Sequence, residues 1–295
     1  MYNIIIERGY YMKIAFITDS SCGVHPDLMK EKGVISLPLQ IVVPNKENTL
    51  LDFIDAPLET IYDYIEQGIM MGTSIPPLGL IEDTFETLKK EGYDAVFCIP
   101  INQGLSSCYN ALRLAAEEVG LEYIYANIYT TSVFQKTCII RAKEMYDEGK
   151  DIYEIKKLIE EVAQAAMTFI VPNSLEQLKK GGRLTPLAAT LAGLLKIKPI
   201  LKIDATCDGK IDTFEKIRTM SKALDRIVTE LKNRGVDESY QLCIAHSNGY
   251  ENAELIKQKL LEAFPNNPTE IVPLVSVISV HTGLDCIGVQ AFKKF

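Results

Sequence analysis

From residue 13 onward, short apolar runs alternate with stretches whose apolar residues recur every three or four positions. The run KIAFI at 13–17 stops at Thr18-Asp19-Ser20-Ser21, and VISLPLQIVV at 34–43 and AVFCIPI at 95–101 are strand-like. Between and after them, 57–67, 76–91 and 105–119 carry helical spacing, with Pro57 suited to a first turn. Residues 121–129 continue as a strand, 132–147 as a helix, and 152–165 as a second helix with Asp151 as its N-cap. Strand–helix alternation of this kind predicts an α/β fold with a mostly parallel sheet flanked by helices.

The pattern changes near residue 165. Thr168 opens a short strand at 168–171, a helix follows at 174–180, and a small-residue apolar helix at 187–195. Strands at 200–203 and 210–214 flank Thr206-Cys207-Asp208-Gly209, whose Asp-Gly is a hairpin signal. A long amphipathic helix at 220–234, a strand at 242–245, a helix at 253–264, and two late strands at 271–280 and 286–291 complete the chain. At 295 residues the chain has room for two units of ~100–200 residues. The expected division is an N-terminal extension at 1–11, an N-terminal α/β lobe at 12–164, and a C-terminal α/β lobe at 165–295 with late antiparallel strands.

Composition narrows the function. The net charge of −8 repels phosphate backbones, so nucleic acid is excluded as the expected partner. No apolar run approaches the ~18 residues of a membrane span, so no membrane insertion is expected. Ile4-Ile5-Ile6 is cut by Glu7 and Arg8, too short for a signal-peptide core. The seven cysteines form no C-x-x-C pair and lie mostly in apolar runs, which predicts reduced core thiols, no metal site, and a cytoplasmic location.

Hydroxyl and amide residues recur where strands stop. They do so at Thr18-Asp19-Ser20-Ser21, Asn102-Gln103-Gly104-Leu105-Ser106-Ser107 and Thr130-Thr131-Ser132; Gly72-Thr73-Ser74 and His281-Thr282-Gly283 add two more. Ligands of an open parallel sheet sit beyond the carboxyl ends of its strands. Singly, such residues are ordinary helix caps; as a set they point to an anion site. His281 alone reads equally as structural or functional, while His25 and His246 read as structural. The phosphate-binding loop G-x-x-x-x-G-K-[ST], the dinucleotide fingerprint, the G-x-S-x-G elbow and H-E-x-x-H are all absent from the sequence. Asp19 or His281 could serve a phosphotransferase or hydrolase, but Ser21 stands where a D-x-D pair needs its second carboxylate, so a cap or turn is the simpler role for Asp19.

Five segments, in order, resemble the DegV family. They are Ile17-Thr18-Asp19-Ser20-Ser21, Thr73-Ser74-Ile75-Pro76-Pro77, Ile101-Asn102-Gln103-Gly104-Leu105-Ser106, Leu178-Lys179-Lys180-Gly181-Gly182-Arg183-Leu184 leading into Ile197-Lys198-Pro199-Ile200-Leu201, and His281-Thr282-Gly283. The resemblance implies a two-lobed α/β carrier, not a stand-alone enzyme, that buries a long-chain fatty acid between its lobes and needs no cofactor. It further implies an ATP-binding fatty acid kinase subunit as partner, which phosphorylates the bound carboxylate. Carried over by position, the carboxylate contacts are Thr73 and His281, with Ser74, Ser106 and Thr282 beside them, and Arg183 is the partner-docking residue. Asn102 and Gln103 stand where the family has a serine pair, Pro77 replaces a serine, and Ser107-Cys108 replaces Gly-Thr. An amide can donate to a carboxylate as a hydroxyl does, so Asn102 and Gln103 are candidate contacts.

These residue types suit a lipid anion. Each buried methylene contributes about 0.8 kcal/mol, while an unpaired buried carboxylate costs several kcal/mol. Hydrogen bonds to a charged acceptor return about 1.5–3 kcal/mol each, so three or four donors balance the head group. The stretches 187–195 and 272–280 are the candidate tail walls, and either could equally be plain core.

Overall fold

The computed structural model describes residues 12–47, 49–191 and 197–295, so the expected extension at 1–11 lies outside it. Thirteen strands occur among the described residues. In chain order they are β1 (Ile14–Asp19), β2 (Val34–Leu37), β3 (Gln40–Val42), β4 (Leu50–Leu51), β5 (Gly72–Ser74), β6 (Ala95–Cys98), β7 (Glu122–Tyr125), β8 (Met167–Val171), β9 (Lys198–Ile203), β10 (Asp212–Ile217), β11 (Tyr240–Ser247), β12 (Thr269–Pro273) and β13 (Cys286–Lys293). The first sheet has the order β2-β1-β6-β7 and is parallel throughout. The second is mixed, in the order β10-β9-β8-β13-β11-β12, with only β11 and β12 parallel. A small antiparallel ribbon, β4-β3-β5, stands apart. This bears out the expected α/β architecture with a parallel first sheet and antiparallel late strands.

Alternation along the strands explains the layering. Phe16 and Phe97 face helices Val133–Asp147 and Ile152–Ala165, and Cys243 and Phe292 of the second sheet join the same core. Those two helices therefore lie between the sheets. Ile17, Val96 and Cys98 point the other way, onto Ile61, Phe85 and Leu112 of helices Leu58–Glu66, Leu78–Lys90 and Cys108–Val119. With both faces covered, β1 and β6 are buried along their whole length. The outer face of the second sheet packs on helices Met220–Asn233 and Tyr250–Ala263. No helix among the described residues is long and apolar enough to cross a membrane. All seven cysteines are free and six are buried.

Three expectations are corrected. The run 34–43 is two strands, because Pro38 cannot donate to a ladder and the chain there leaves the first sheet for the ribbon. The strand expected at 121–129 ends at Tyr125. The strand expected at 271–280 stops at Pro273, and residues Ser276–Thr282 form a helix. His281 therefore sits in the last turn of a helix, not at a strand end. β-branched residues misled the pattern: Val277 and Val280, three apart, share one helical face and fill the core built by the first sheet. Helix Ser276–Thr282 thus comes from the second half of the chain and packs against helix Leu58–Glu66 of the first.

Candidate functional site

A cavity of about 350 Å³ lies between the carboxyl edge of the first sheet, the inner face of the second, and helix Ser276–Thr282. Its size is within the ~300–1,000 Å³ of ordinary small-molecule sites. Leu39, Ile75, Ile101, Ile170, Ile203 and Ile278 supply much of its apolar wall. Polar groups gather at two places on that wall.

The first is made by two residues 208 positions apart. Thr73 Oγ1 on β5 lies 2.7 Å from His281 Nε2. Ser74, Ser106, Arg183 and Thr282 line the cavity beside them. Ser106 Oγ accepts a hydrogen bond from Cys108 N at 3.2 Å, and Thr282 Oγ1 donates to Ile278 O at 3.2 Å. Arg183 donates from Nε to Leu105 O at 3.4 Å and from Nη1 to Gly181 O, so its guanidinium ties the two halves of the chain together at the rim. Burial first, and then the charge of Arg183, push the His281 imidazole down to about 4. The ring is therefore neutral at physiological pH.

This shift predicts an acid-sensitive stability. An unfolded histidine takes up its proton near pH 6.5, whereas folded His281 resists it until about pH 4. The contribution is whole above pH 6.5 and is lost as pH falls toward 4, on the order of 3 kcal/mol for the unliganded protein. Urea midpoints measured across that window should fall more steeply for the native protein than for His281→Gln.

The ring is also held from behind. A Cβ on Gly181 would stand 2.4 Å from His281 Nδ1, so only a residue without a side chain fits there. The double glycine of Lys179-Lys180-Gly181-Gly182-Arg183 thus has a packing reason at its first member.

Asn102 and Gln103 lie outside the cavity. Asn102 is fully buried, its Oδ1 accepts from Gly104 N at 2.8 Å, and its Nδ2 donates to Thr130 O at 3.3 Å. Gly209, at φ +69° in the β9–β10 turn, comes so close that a Cβ would stand 2.2 Å from Asn102 Oδ1. Asn102 therefore braces that hairpin tip. Gln103 is exposed and faces an outer groove with Tyr109, Arg113 and Tyr125. Asp19 is buried and absent from the cavity wall; its carboxylate accepts from Ser21 N at 3.0 Å and Ile101 N at 2.7 Å, a turn role. Leu274, Val277 and Ile278 from the stretch 272–280 do line the cavity. Of the stretch 187–195, Leu187 is exposed, Leu191 is buried in a neighbouring cluster, and 192–195 lie outside the described residues.

The second polar place was not singled out as a contact from sequence. Thr131, Ser132, Thr168 and Gln290 line the cavity together. Gln290 Nε2 donates to Thr131 O at 2.9 Å and to Thr168 Oγ1 at 3.2 Å, and Gln290 Oε1 accepts from Phe134 N at 3.3 Å. A glutamine inside the apolar strand CIGVQAF was the available signal.

Comparison with known proteins fits this geometry. The family model described as "Uncharacterised protein, DegV family" matches residues 13–294. The chain belongs to the DegV family. A DegV domain-containing protein of Clostridium acetobutylicum is 30% identical over 288 residues, covering 96% of this chain and 99% of the relative. A fatty acid binding DegV family protein of Streptococcus agalactiae superposes with a TM-score of 0.87 at 30% identity, covering 96% of this chain and all of that one. DegV of Bacillus subtilis, a fatty acid binding protein, superposes with a TM-score of 0.83 at 28% identity, again over 96% of this chain and all of its own. The DegV resemblance drawn from the five segments is thereby established over almost the whole chain.

Proposed function

We propose that this protein binds one long-chain fatty acid in the cavity, with the carboxylate against Thr73 and His281. The observation that carries the proposal is the Thr73–His281 pair on an otherwise largely apolar cavity. The DegV proteins of Streptococcus agalactiae and Bacillus subtilis, which bind fatty acids, support it. On binding, the neutral imidazole and the threonine hydroxyl exchange their mutual hydrogen bond for the ligand and each then donates to the carboxylate, while Arg183 adds positive potential without a bidentate grip. Ser74, Ser106 and Thr282 complete the rim around the head group; Asn102 and Gln103 shape the loop rather than touch the ligand.

The protein acts as a carrier. Its partner is a separate ATP-binding kinase subunit that docks at the rim around Arg183. There the carboxylate oxygen forms a bond to the γ-phosphorus of ATP as the bond to ADP breaks, giving acyl phosphate and ADP. The cytoplasm is the matching compartment, since ATP and seven free thiols belong there.

Denaturing the purified protein, extracting it with solvent and applying mass spectrometry should release a long-chain acid. Delipidated protein should take up palmitate or oleate. Neither an extracted acid nor any uptake would refute the proposal. Incubation with ATP alone should yield no acyl phosphate; turnover without a partner would instead make the protein an enzyme in its own right.

A further inference from the structure

The second polar place lies far from the first. Cys286, Gly288 and Gln290 of β13 share the face that lines the cavity. Cys286 packs beside Thr282, next to His281, whereas Gln290 reaches Thr131, Thr168 and the first turn of helix Val133–Asp147. Four residues of strand separate the two ends by about 13 Å. The cavity thus runs from Thr73 and His281 to a floor at Ser132.

The polar side chains there have partners: Gln290 Nε2 donates to Thr168 Oγ1 and to Thr131 O, and Thr131 Oγ1 donates to Gln135 Oε1 at 2.8 Å. Ser132 does not take part. It is 7% exposed, lines the cavity, and precedes helix Val133–Asp147 without a side-chain cap bond. Its hydroxyl has no hydrogen-bond partner among the described residues, while its backbone N–H donates to Ser21 O at 3.1 Å. A buried hydroxyl facing the methyl end of a plain acyl chain would lose its bond to water and gain nothing. A chain carrying its own oxygen at that depth would restore it. The floor residues are all neutral, and Arg183, the cation on the cavity wall among the described residues, stands at the opposite end. The complement is therefore an uncharged oxygen and not a second carboxylate.

Resting on the fatty acid reading, we propose that Ser132 makes the cavity floor a hydrogen-bonding station for a hydroxyl on the distal part of the acyl chain, so that the protein prefers hydroxylated long-chain acids.

The test titrates the delipidated full chain with stearate and with hydroxystearates whose hydroxyl is moved stepwise from the carboxyl to the methyl end. One distal isomer should bind about three- to tenfold tighter than stearate, the worth of a single buried hydrogen bond. Isomers hydroxylated near the head should show no such gain. The ratio of the two dissociation constants should fall to about one in both Ser132→Ala and Ser132→Gly, the second of which accepts the φ of +63° at this position. If stearate binds and no isomer exceeds it, or if the preference survives in both variants, the inference is wrong and the lipid reading stands. If neither stearate nor any isomer binds, both fall.

Discussion

His281→Ala is expected to weaken long-chain fatty acid binding by roughly 10- to 100-fold, the worth of one hydrogen bond to a charged acceptor in a buried site. The imidazole is held within 2.7 Å of Thr73 Oγ1 and kept neutral by burial and Arg183. Removing it takes away one donor and leaves a void beside the carboxylate. Thr73→Ala should cost a similar factor. The double variant should lose less than the product of the two, since each group orients the other. Isothermal titration of delipidated protein gives the constants, and far-ultraviolet melting shows whether each variant remains folded. Wild-type affinity in both single variants would remove the head group from this site.

Gly181→Ala is the second large effect. The added methyl would stand 2.4 Å from His281 Nδ1, well inside contact distance. Either the ring swings off Thr73 or helix Glu176–Gly181 shifts, and overpacking of this kind costs about 1–3 kcal/mol of stability. Fatty acid affinity should fall by about tenfold or more, because the pair is broken at its pivot. The clash is with the ring itself, so Gly181→Ala made on top of His281→Ala should cost little further stability. A thermal-melt double-mutant cycle measures that coupling. Equal destabilisation in both backgrounds would mean that the glycine serves the backbone and not the histidine.

Much of this was legible without coordinates. β1 and β6 could be read as apolar runs because strands covered on both faces lack polar alternation. Asp151 could be read as a cap because its side chain serves local N–H groups, and it accepts from Tyr153 N and Glu154 N. Helix Ser276–Thr282 could not. Its valines and isoleucine favour a strand locally, and only the core waiting between the first sheet and helix Leu58–Glu66 turns them into a helical face. Asn102 shows the same limit at the site. Its place in the motif suggested a contact, yet the hairpin tip at Gly209 holds it away from the cavity.

By itself the sequence determined most of the succession of strands and helices, the parallel first sheet, the family, and the identity of Thr73, Arg183 and His281 as polar residues near strand and helix ends. These follow from periodicity, capping and turn chemistry, which act over a few residues. Tertiary structure alone decided that Thr73 and His281 meet, that Gly181 backs the imidazole, and that Ser132 faces the cavity floor with Gln290 behind it. Those relations join segments up to 208 residues apart. They are set by how the helices between the two sheets pack, which no local pattern records.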